Sequence, residues 1–323
     1  MKIDFKAKVN AKLNSLSKYF YRIKNCKINE LGTIRSVCFH AVKTEDVGSC
    51  SLPSNYEIHI DDLKLFTEYL LSKDYEFILP SDIKNSLNEK KKYIIVSFDD
   101  GYSSVLKAVN LYKRLGLKLT VFICPYYIIN QKVFWDTFYL RELEKLPEKR
   151  KKILSEEYGK MRCYSHSERI QFIEKNLSDT SFKPTDDSDR PLSFDDINKY
   201  LLKDYVEIGN HTMFHTGLTN LSIKEVNIEL DLSQKTIFDN LAIIPTSFSF
   251  PFGYYNEELV QICFNKGFKH IFTTENIIQK IHELSNKDKQ IIGRFPQWGG
   301  KKNPFISDQD KKIYFSKIRG FIK

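Results

Sequence analysis

The stretch that decides the fold is YIIVSFDDGYSSVLKAVNLYKRLGLKLTVFICPYY, residues 93–127. It opens with an apolar, β-branched run that ends in Asp99-Asp100 and continues with a helical pattern over 103–116. A second apolar run follows over 118–127. Two such runs joined by an amphipathic segment predict parallel strands connected by a helix.

The same unit recurs along the chain. Seven apolar runs end in polar or special residues, at 33–40, 93–102, 118–127, 205–212, 246–253, 269–274 and 290–298. Amphipathic segments lie between several of them, at 61–75, 103–116 and 223–241. Seven such strands predict an α/β fold, a distorted (β/α)7-type barrel, with a doubly wound open sheet as the alternative. Residues 128–192 interrupt the rhythm, and we expect a helical insertion there, between the third and fourth core strands.

The barrel is predicted to span residues 31–300, between a basic amphipathic helix over 1–30 and a basic tail over 301–323. The two ends hold most of the positive charge: residues 1–27 carry +7 and residues 301–323 carry +5 of the net +9, so the residues between them sum to −3. Such a body is not a nucleic-acid-binding surface. The basic ends fit either helices packed on the domain or peripheral contact with an anionic membrane.

Composition predicts a large folded core, because 41% of the residues are hydrophobic and 14% are aromatic. No run of eighteen apolar residues is present, and the N-terminus lacks the apolar segment of a secretory signal. Six cysteines are spread singly along the chain, which predicts reduced and mostly buried thiols. These features predict a cytoplasmic protein, with the inner face of the membrane as a peripheral location.

The chemically distinctive residues fall where predicted strands end, which in a barrel is one rim. Asp99-Asp100 alone fits a solvated turn, and His211 and His215 alone fit surface histidines as well as a metal site. Together, two histidines and one aspartate make a three-ligand site of the kind that binds zinc. The other aspartate is then available as a base toward water, and the reaction class is hydrolysis of a carbonyl compound.

Three motifs in this order, SFDDGY (97–102), HTMFH (211–215) and SFPFG (249–253), resemble those of the polysaccharide deacetylases, the NodB homology domain of carbohydrate esterase family 4. The segment VCFHAV (37–42) and the helix after it resemble the poly-N-acetylglucosamine deacetylase branch. The resemblance implies that Asp100, His211 and His215 hold a divalent metal and that Asp99 is the general base. It also implies that the backbone N–H of Phe252 helps to stabilise an oxyanion.

The sequence departs from the family pattern in two places. Ser249 stands where many relatives have the arginine that pairs with the base, and Arg294 is our candidate to replace that charge. The late motif that supplies the usual general acid is not evident, and His40 is our candidate for that role. Substrate contacts are predicted for Tyr102, Pro251, Gly253 and Trp298.

The resemblance implies a metal-dependent hydrolase that removes an N-acyl group from an amino sugar. The N-acetyl group is the leading candidate. The sugar would belong to a polysaccharide or to its lipid- or nucleotide-linked precursor. We expect one divalent metal, zinc, with cobalt or nickel as alternatives. Other hypotheses are a catalytically degenerate glycan-binding member, a sugar N-deformylase or an O-deacetylase. A metal-dependent phosphoesterase would need further carboxylates or a second metal cluster.

Overall fold

A parallel sheet curved into a barrel organises the protein. The computed structural model describes residues 31–44, 57–84 and 87–296. The strands in these ranges are β1 Thr33–Phe39, β2 Ala41–Lys43, β3 Glu57–His59, β4 Tyr75–Phe77, β5 Lys92–Phe98, β6 Leu119–Ile123, β7 Val206–Asn210, β8 Ser247–Ser249, β9 His270–Thr273, β10 Gln279–Lys280, β11 Gln290–Gly293 and β12 Phe295–Pro296.

The barrel has the seven strands that the sequence predicts. Parallel pairing runs in the order β1, β5, β6, β7, β8, β9 and β11. A single residue, Arg294, separates β11 from β12, and β12 pairs with β1 through Val37 and Phe295. The sheet therefore nearly closes on itself, and the predicted (β/α)7-type barrel is confirmed. The open-sheet alternative is wrong, because the last strand segment returns to the first.

The barrel is distorted at its second strand. β6 pairs with β5 only at Ser97 and Phe98. The short strand β4 pairs with the first residues of β5, Lys92 to Ile94, a part of β5 that does not pair with β6. All residues of β1 and all but the first of β5 are buried, as expected for parallel strands that are covered on both faces.

The helices of the described ranges are α1 Ile60–Leu71, α2 Val105–Leu115, α3 Pro125–Asn130, α4 Trp135–Leu143, α5 Glu148–Met161, α6 His166–Asn176, α7 Phe194–Asp196, α8 Ile223–Leu241, α9 Glu257–Asn265 and α10 Ile281–Ser285. α7 continues into a π-helical turn, Ile197–Leu201. The longest helix, α8, begins with a capping box between Ser222 and Glu225. None of the described helices is both long and apolar enough to cross a membrane.

Helices α3 to α6 form the helical insertion, which lies between the third and fourth barrel strands, as predicted. The insertion packs into an apolar cluster whose buried members include Trp135, Phe138, Met161 and Ile173, together with Cys124 of the barrel. Side chains of this cluster contact the rim of the barrel. The predicted segments 1–30 and 301–323 lie outside the described residues, and the proposed domain boundaries stay predictions.

Candidate active site

Three buried side chains meet at the rim where β5 and β7 end. The Asp100 Oδ1 atom lies 3.2 Å from His215 Nε2 and 3.4 Å from His211 Nε2. One donor atom from each of the three residues lies within 4.8 Å of the others. The strands bring them together: β7 pairs with β6, and the ladder continues as His211 N–H donates to the Ile123 carbonyl.

The loop of residues 211–216, called here the histidine loop, is irregular. Thr212 and His215 both adopt positive φ, at 68° and 52°. The Asn210 side chain accepts from Thr212 N–H at 2.9 Å, and the Thr212 hydroxyl accepts from Thr216 N–H at 3.3 Å. These turns let two histidines four positions apart face one carboxylate without a helix between them.

The protonation of the cluster follows from its hydrogen bonds. His211 Nδ1 lies 2.7 Å from the Ser249 carbonyl, which can only accept, so Nδ1 carries the proton. With Nδ1 held in this way, His211 presents its Nε2 atom to Asp100. Burial favours the neutral acid, yet the His215 and His211 imidazoles outweigh it and hold the pKa of Asp100 well below its usual range.

The cluster fits a divalent cation. Asp100 Oδ1 is buried and receives no hydrogen bond from the residues that the structure describes. A buried carboxylate oxygen without a donor is costly, and it faces two imidazole nitrogens at short distance. Carboxylate and imidazole are zinc ligands, and three protein ligands leave a position for substrate.

Asp99, the neighbour of this cluster, forms an ion pair with Arg294. The two guanidinium nitrogens Nη1 and Nη2 donate to Asp99 Oδ1 and Oδ2 at 2.7 and 2.8 Å. Burial raises the pKa of Asp99, but the charge and hydrogen bonds of Arg294, together with His211 and His40, outweigh burial and lower it to about 2. Arg294 also donates to the hydroxyls of Ser249 and Ser97, at 2.6 and 3.1 Å. Arg294 thus lies where the missing motif arginine would act, and Ser249 leaves room for it.

His40 lies at the end of β1, beside the ion pair. One donor atom each from Cys38, His40 and Asp99 lies within 4.8 Å of the others. Burial lowers the pKa of His40, against the opposing charges of Asp100 and Asp99. The structure therefore brings the candidate acid, the candidate base and the three candidate ligands to one rim.

The segment Pro251–Gly253 is a tight turn at the end of β8. Phe252 has φ 59°, and its ring lies 4.6 Å from the His215 ring. Gly253 has φ 71°, and a Cβ there would lie 2.2 Å from Thr274 Oγ1. The positive φ and the close approach of Thr274 therefore require glycine at position 253. Pro251 is buried. Neither position offers a side chain to a substrate.

Of the other two predicted substrate residues, the structure describes only Tyr102. Tyr102 is only 1% exposed, and its hydroxyl lies 3.1 Å from Thr137 Oγ1 inside the insertion. The structure does not bring Tyr102 to the surface, because the insertion covers it. Trp298 lies outside the described residues.

Sequence reasoning missed the insertion residues that contact the site. The Phe134 ring stands edge-on to His215 at 5.5 Å, and Trp135 Nε1 donates to the His215 carbonyl at 3.3 Å. Their positions in a helical, aromatic segment carried no signal of this role, because the contact is made between parts of the chain 80 positions apart.

The barrel thus carries a buried Asp-His-His cluster and an adjacent ion-paired aspartate at one rim. Residues 86–271 match the family model of polysaccharide deacetylases, over more than half of the chain. The protein belongs to the polysaccharide deacetylase family. The reaction class of this family is deacetylation of a carbohydrate. No curated protein matches the chain.

Solved structures share the fold. A de-N-acetylase from Aggregatibacter actinomycetemcomitans has a TM-score of 0.57 at 16% identity, covering 85% of this chain and 99% of the other. The Streptococcus pyogenes deacetylase PplD in complex with acetate gives 0.55 at 14%, covering 87% and 97%. IcaB from Ammonifex degensii gives 0.54 at 14%, covering 88% and 97%. At these identities the similarity establishes the common fold.

Proposed function

We propose that the protein is a metal-dependent hydrolase that removes the N-acetyl group from an amino sugar. The observation that carries the proposal is the buried carboxylate oxygen of Asp100, which faces His211 and His215 beside the Asp99–Arg294 ion pair. This combination supplies a cation site and a fixed anionic base at one rim. Family membership supplies the reaction class.

Asp100, His211 and His215 would hold the cation, and zinc is the ion that this donor set suits best. When bound, a divalent ion would act as a Lewis acid that polarises the acyl carbonyl. The protein's own contribution is to keep Asp100 ionised and to present both Nε2 atoms. The hydrogen bond from His211 Nδ1 to the Ser249 carbonyl fixes one of the two rings for that purpose.

Asp99 would take the proton from the attacking water. Arg294 holds both carboxylate oxygens, which keeps Asp99 ionised and fixes its orientation. A carboxylate with so low a pKa is a weak base, so its effect comes from position. After the attack, the backbone N–H of Phe252 would stabilise the oxyanion, a contribution of about 3 kcal/mol for one donor.

His40 would donate a proton to the leaving amine. Its place beside Asp99 supports this role, because a proton taken by Asp99 has a short path to the imidazole. Burial lowers the pKa of His40, so the free protein holds it neutral and ready to receive that proton. General acid and base catalysis of this kind contributes about 10²–10⁴-fold each.

The substrate we propose is an N-acetylated amino sugar of the poly-N-acetylglucosamine type, in a polysaccharide or in a lipid- or nucleotide-linked precursor. The His40 segment and the de-N-acetylase among the solved structures with the same fold support the amino sugar. The basic ends of the chain support a membrane-associated or diphosphate-linked precursor. Sedimentation with anionic vesicles tests the membrane contact, and absence of binding would remove it.

The experiment that tests the function screens acylated amino-sugar conjugates with added zinc, cobalt or nickel and measures released acetate and formate. Asp99→Asn should bind metal and lose deacetylation, whereas His211→Ala should lose the metal. Full activity in both variants would refute the assignment. Formate in place of acetate would identify an N-deformylase. The binding-only alternative is less well supported, because Arg294 pairs with Asp99 although the third motif lacks an arginine.

A further inference from the structure

Arg169 of α6 connects the insertion to the histidine loop. Its side chain is fully buried, and it donates from Nη1 to the Phe214 carbonyl at 3.2 Å and from Nη2 to Thr216 Oγ1 at 3.3 Å. The same guanidinium donates to the carbonyls of Met161 and Tyr164 at 3.1 and 2.9 Å. One buried cation therefore links two carbonyls of the insertion to the loop that carries both histidines.

The indole of Trp135 completes this link. Its Nε1–H donates to the carbonyl of His215 itself, at 3.3 Å. The Arg169 guanidinium lies over the Trp135 ring, with 4.4 Å between the guanidinium carbon and the ring centroid. The two side chains thus form one stack, and each of them donates to a carbonyl of the histidine loop.

The loop is held from its other side by Glu229 of α8. Its buried carboxylate accepts from Met213 N–H at 2.9 Å and from Phe214 N–H at 3.0 Å. The N–H groups of Met213 and Phe214 are therefore fixed by an anion, and the Phe214 carbonyl is fixed by a cation. Hydrogen bonds to charged groups are about twice as strong as those between neutral groups.

Such fixing is needed because the loop is strained. Thr212 and His215 are not glycines, yet both have positive φ. Each such residue costs about 1–3 kcal/mol and persists only where its surroundings determine it. If the carbonyl contacts were lost, the backbone at His215 would relax toward negative φ and turn its imidazole away from Asp100.

We propose that Arg169 and Trp135 are positioning residues that hold His215 in its metal-binding conformation, so that the helical insertion is a part of the metal site. This inference rests on the proposed function, in which His215 binds the ion. The helical insertion would then increase the affinity of the site for the metal.

The test compares Arg169→Met, Trp135→Phe and a control, Arg141→Met, with the wild type. Arg141 lies in the same insertion and pairs with Asp189 at 3.0 Å. Cobalt(II) affinity is measured from the visible absorption band, and kcat and KM are measured with the metal saturating. Loss of a residue that orients a metal ligand weakens metal binding by about 10–100-fold. We expect that loss in Arg169→Met, a smaller loss in Trp135→Phe, and wild-type affinity in Arg141→Met.

The melting temperature of each metal-free variant separates positioning from folding. If Arg169→Met does not fold, Trp135→Phe is the deciding variant, because it keeps an aromatic ring beside Arg169 while removing the N–H donor. Wild-type cobalt affinity in the folded variants would overturn the inference and leave the proposed function intact. Absence of cobalt binding by the wild type would instead refute the proposed function.

Discussion

Arg294 and Asp99 form a two-fold hydrogen-bonded ion pair across 195 positions of sequence. The Arg294 guanidinium lies against the rings of Phe122 and Phe272, which contact each other, at 5.4 and 5.6 Å from their centroids. Both partners are almost wholly buried. The pair is therefore shielded from solvent, and the packing of the barrel side chains around it fixes its geometry.

Replacing Arg294 by Met should lower both activity and stability. The substitution leaves a buried carboxylate without its cation, which costs about 3–5 kcal/mol in comparable pairs. Asp99 would then lose its fixed orientation, and we expect kcat to fall about 10²-fold, the lower range for a general base. Urea unfolding and steady-state kinetics measure the two effects. Arg294→Lys, which keeps the charge, should recover part of the stability. Wild-type kcat in Arg294→Met would exclude the role of Arg294 in orienting Asp99.

Removing the metal should abolish activity without unfolding the protein. The cluster of Asp100, His211 and His215 lies at the rim, while the core consists of apolar side chains on the barrel strands. A chelator should therefore stop acetate release, and added zinc or cobalt should restore it. Circular dichroism should report unchanged secondary structure throughout. His215→Ala should not recover activity on addition of stoichiometric metal, and recovery there would contradict its assignment as a ligand.

Gly253→Ala should be more damaging than the same change at Gly116. Both glycines have a similar positive φ, 71° and 65°. A Cβ at Gly116 meets nothing within 4 Å, whereas at Gly253 it would overlap Thr274. We expect a loss of about 1 kcal/mol for Gly116→Ala, the backbone effect alone, and about 2–4 kcal/mol for Gly253→Ala. Equal losses in urea unfolding would show that the Thr274 contact relaxes freely.

Acid should destabilise the fold through His270. This buried residue of β9 has a pKa lowered to about 4 by burial, against about 6.5 in the unfolded chain. Because the unfolded state binds the proton first, stability falls as the pH drops from about 6.5 to about 4, by about 3 kcal/mol for this group. Urea unfolding at pH 7 and pH 5 should show a smaller difference in His270→Leu than in the wild type. An unchanged difference would exclude His270 as a source of acid sensitivity.

Much of the fold could be predicted because the barrel strands are long, apolar and separated by amphipathic segments. The prediction of a helix over 223–241 matches α8 at both ends, where a capping box starts it and Ala242 in a left-handed conformation ends it. Strands β2, β3, β4 and β10 were missed, because segments of two or three residues carry no periodic pattern. Their pairing depends on neighbours that are distant in sequence.

The sequence placed its chemically distinctive residues at strand ends, and the structure brings those that follow β5, β7 and β11 to one rim. Their catalytic roles stay predictions. Arg294 pairs with Asp99, as expected of a charge that Ser249 lacks, and its role in catalysis stays a prediction. Tyr102 was predicted to contact the substrate, but the insertion covers it, because a residue near a strand end can face either the rim or a covering segment. The contacts of Arg169 and Trp135 could not be predicted, because they depend on how the insertion folds back over the rim.

Arg294 is the single residue between β11 and β12. Its backbone leads into the strand that closes the barrel against β1, and its side chain supplies the charge that pairs with Asp99. A nascent chain that has exposed only the first six barrel strands lacks that charge, even though both aspartates and both histidines have already emerged. Catalytic competence should therefore appear late in synthesis, with the arrival of the last strand.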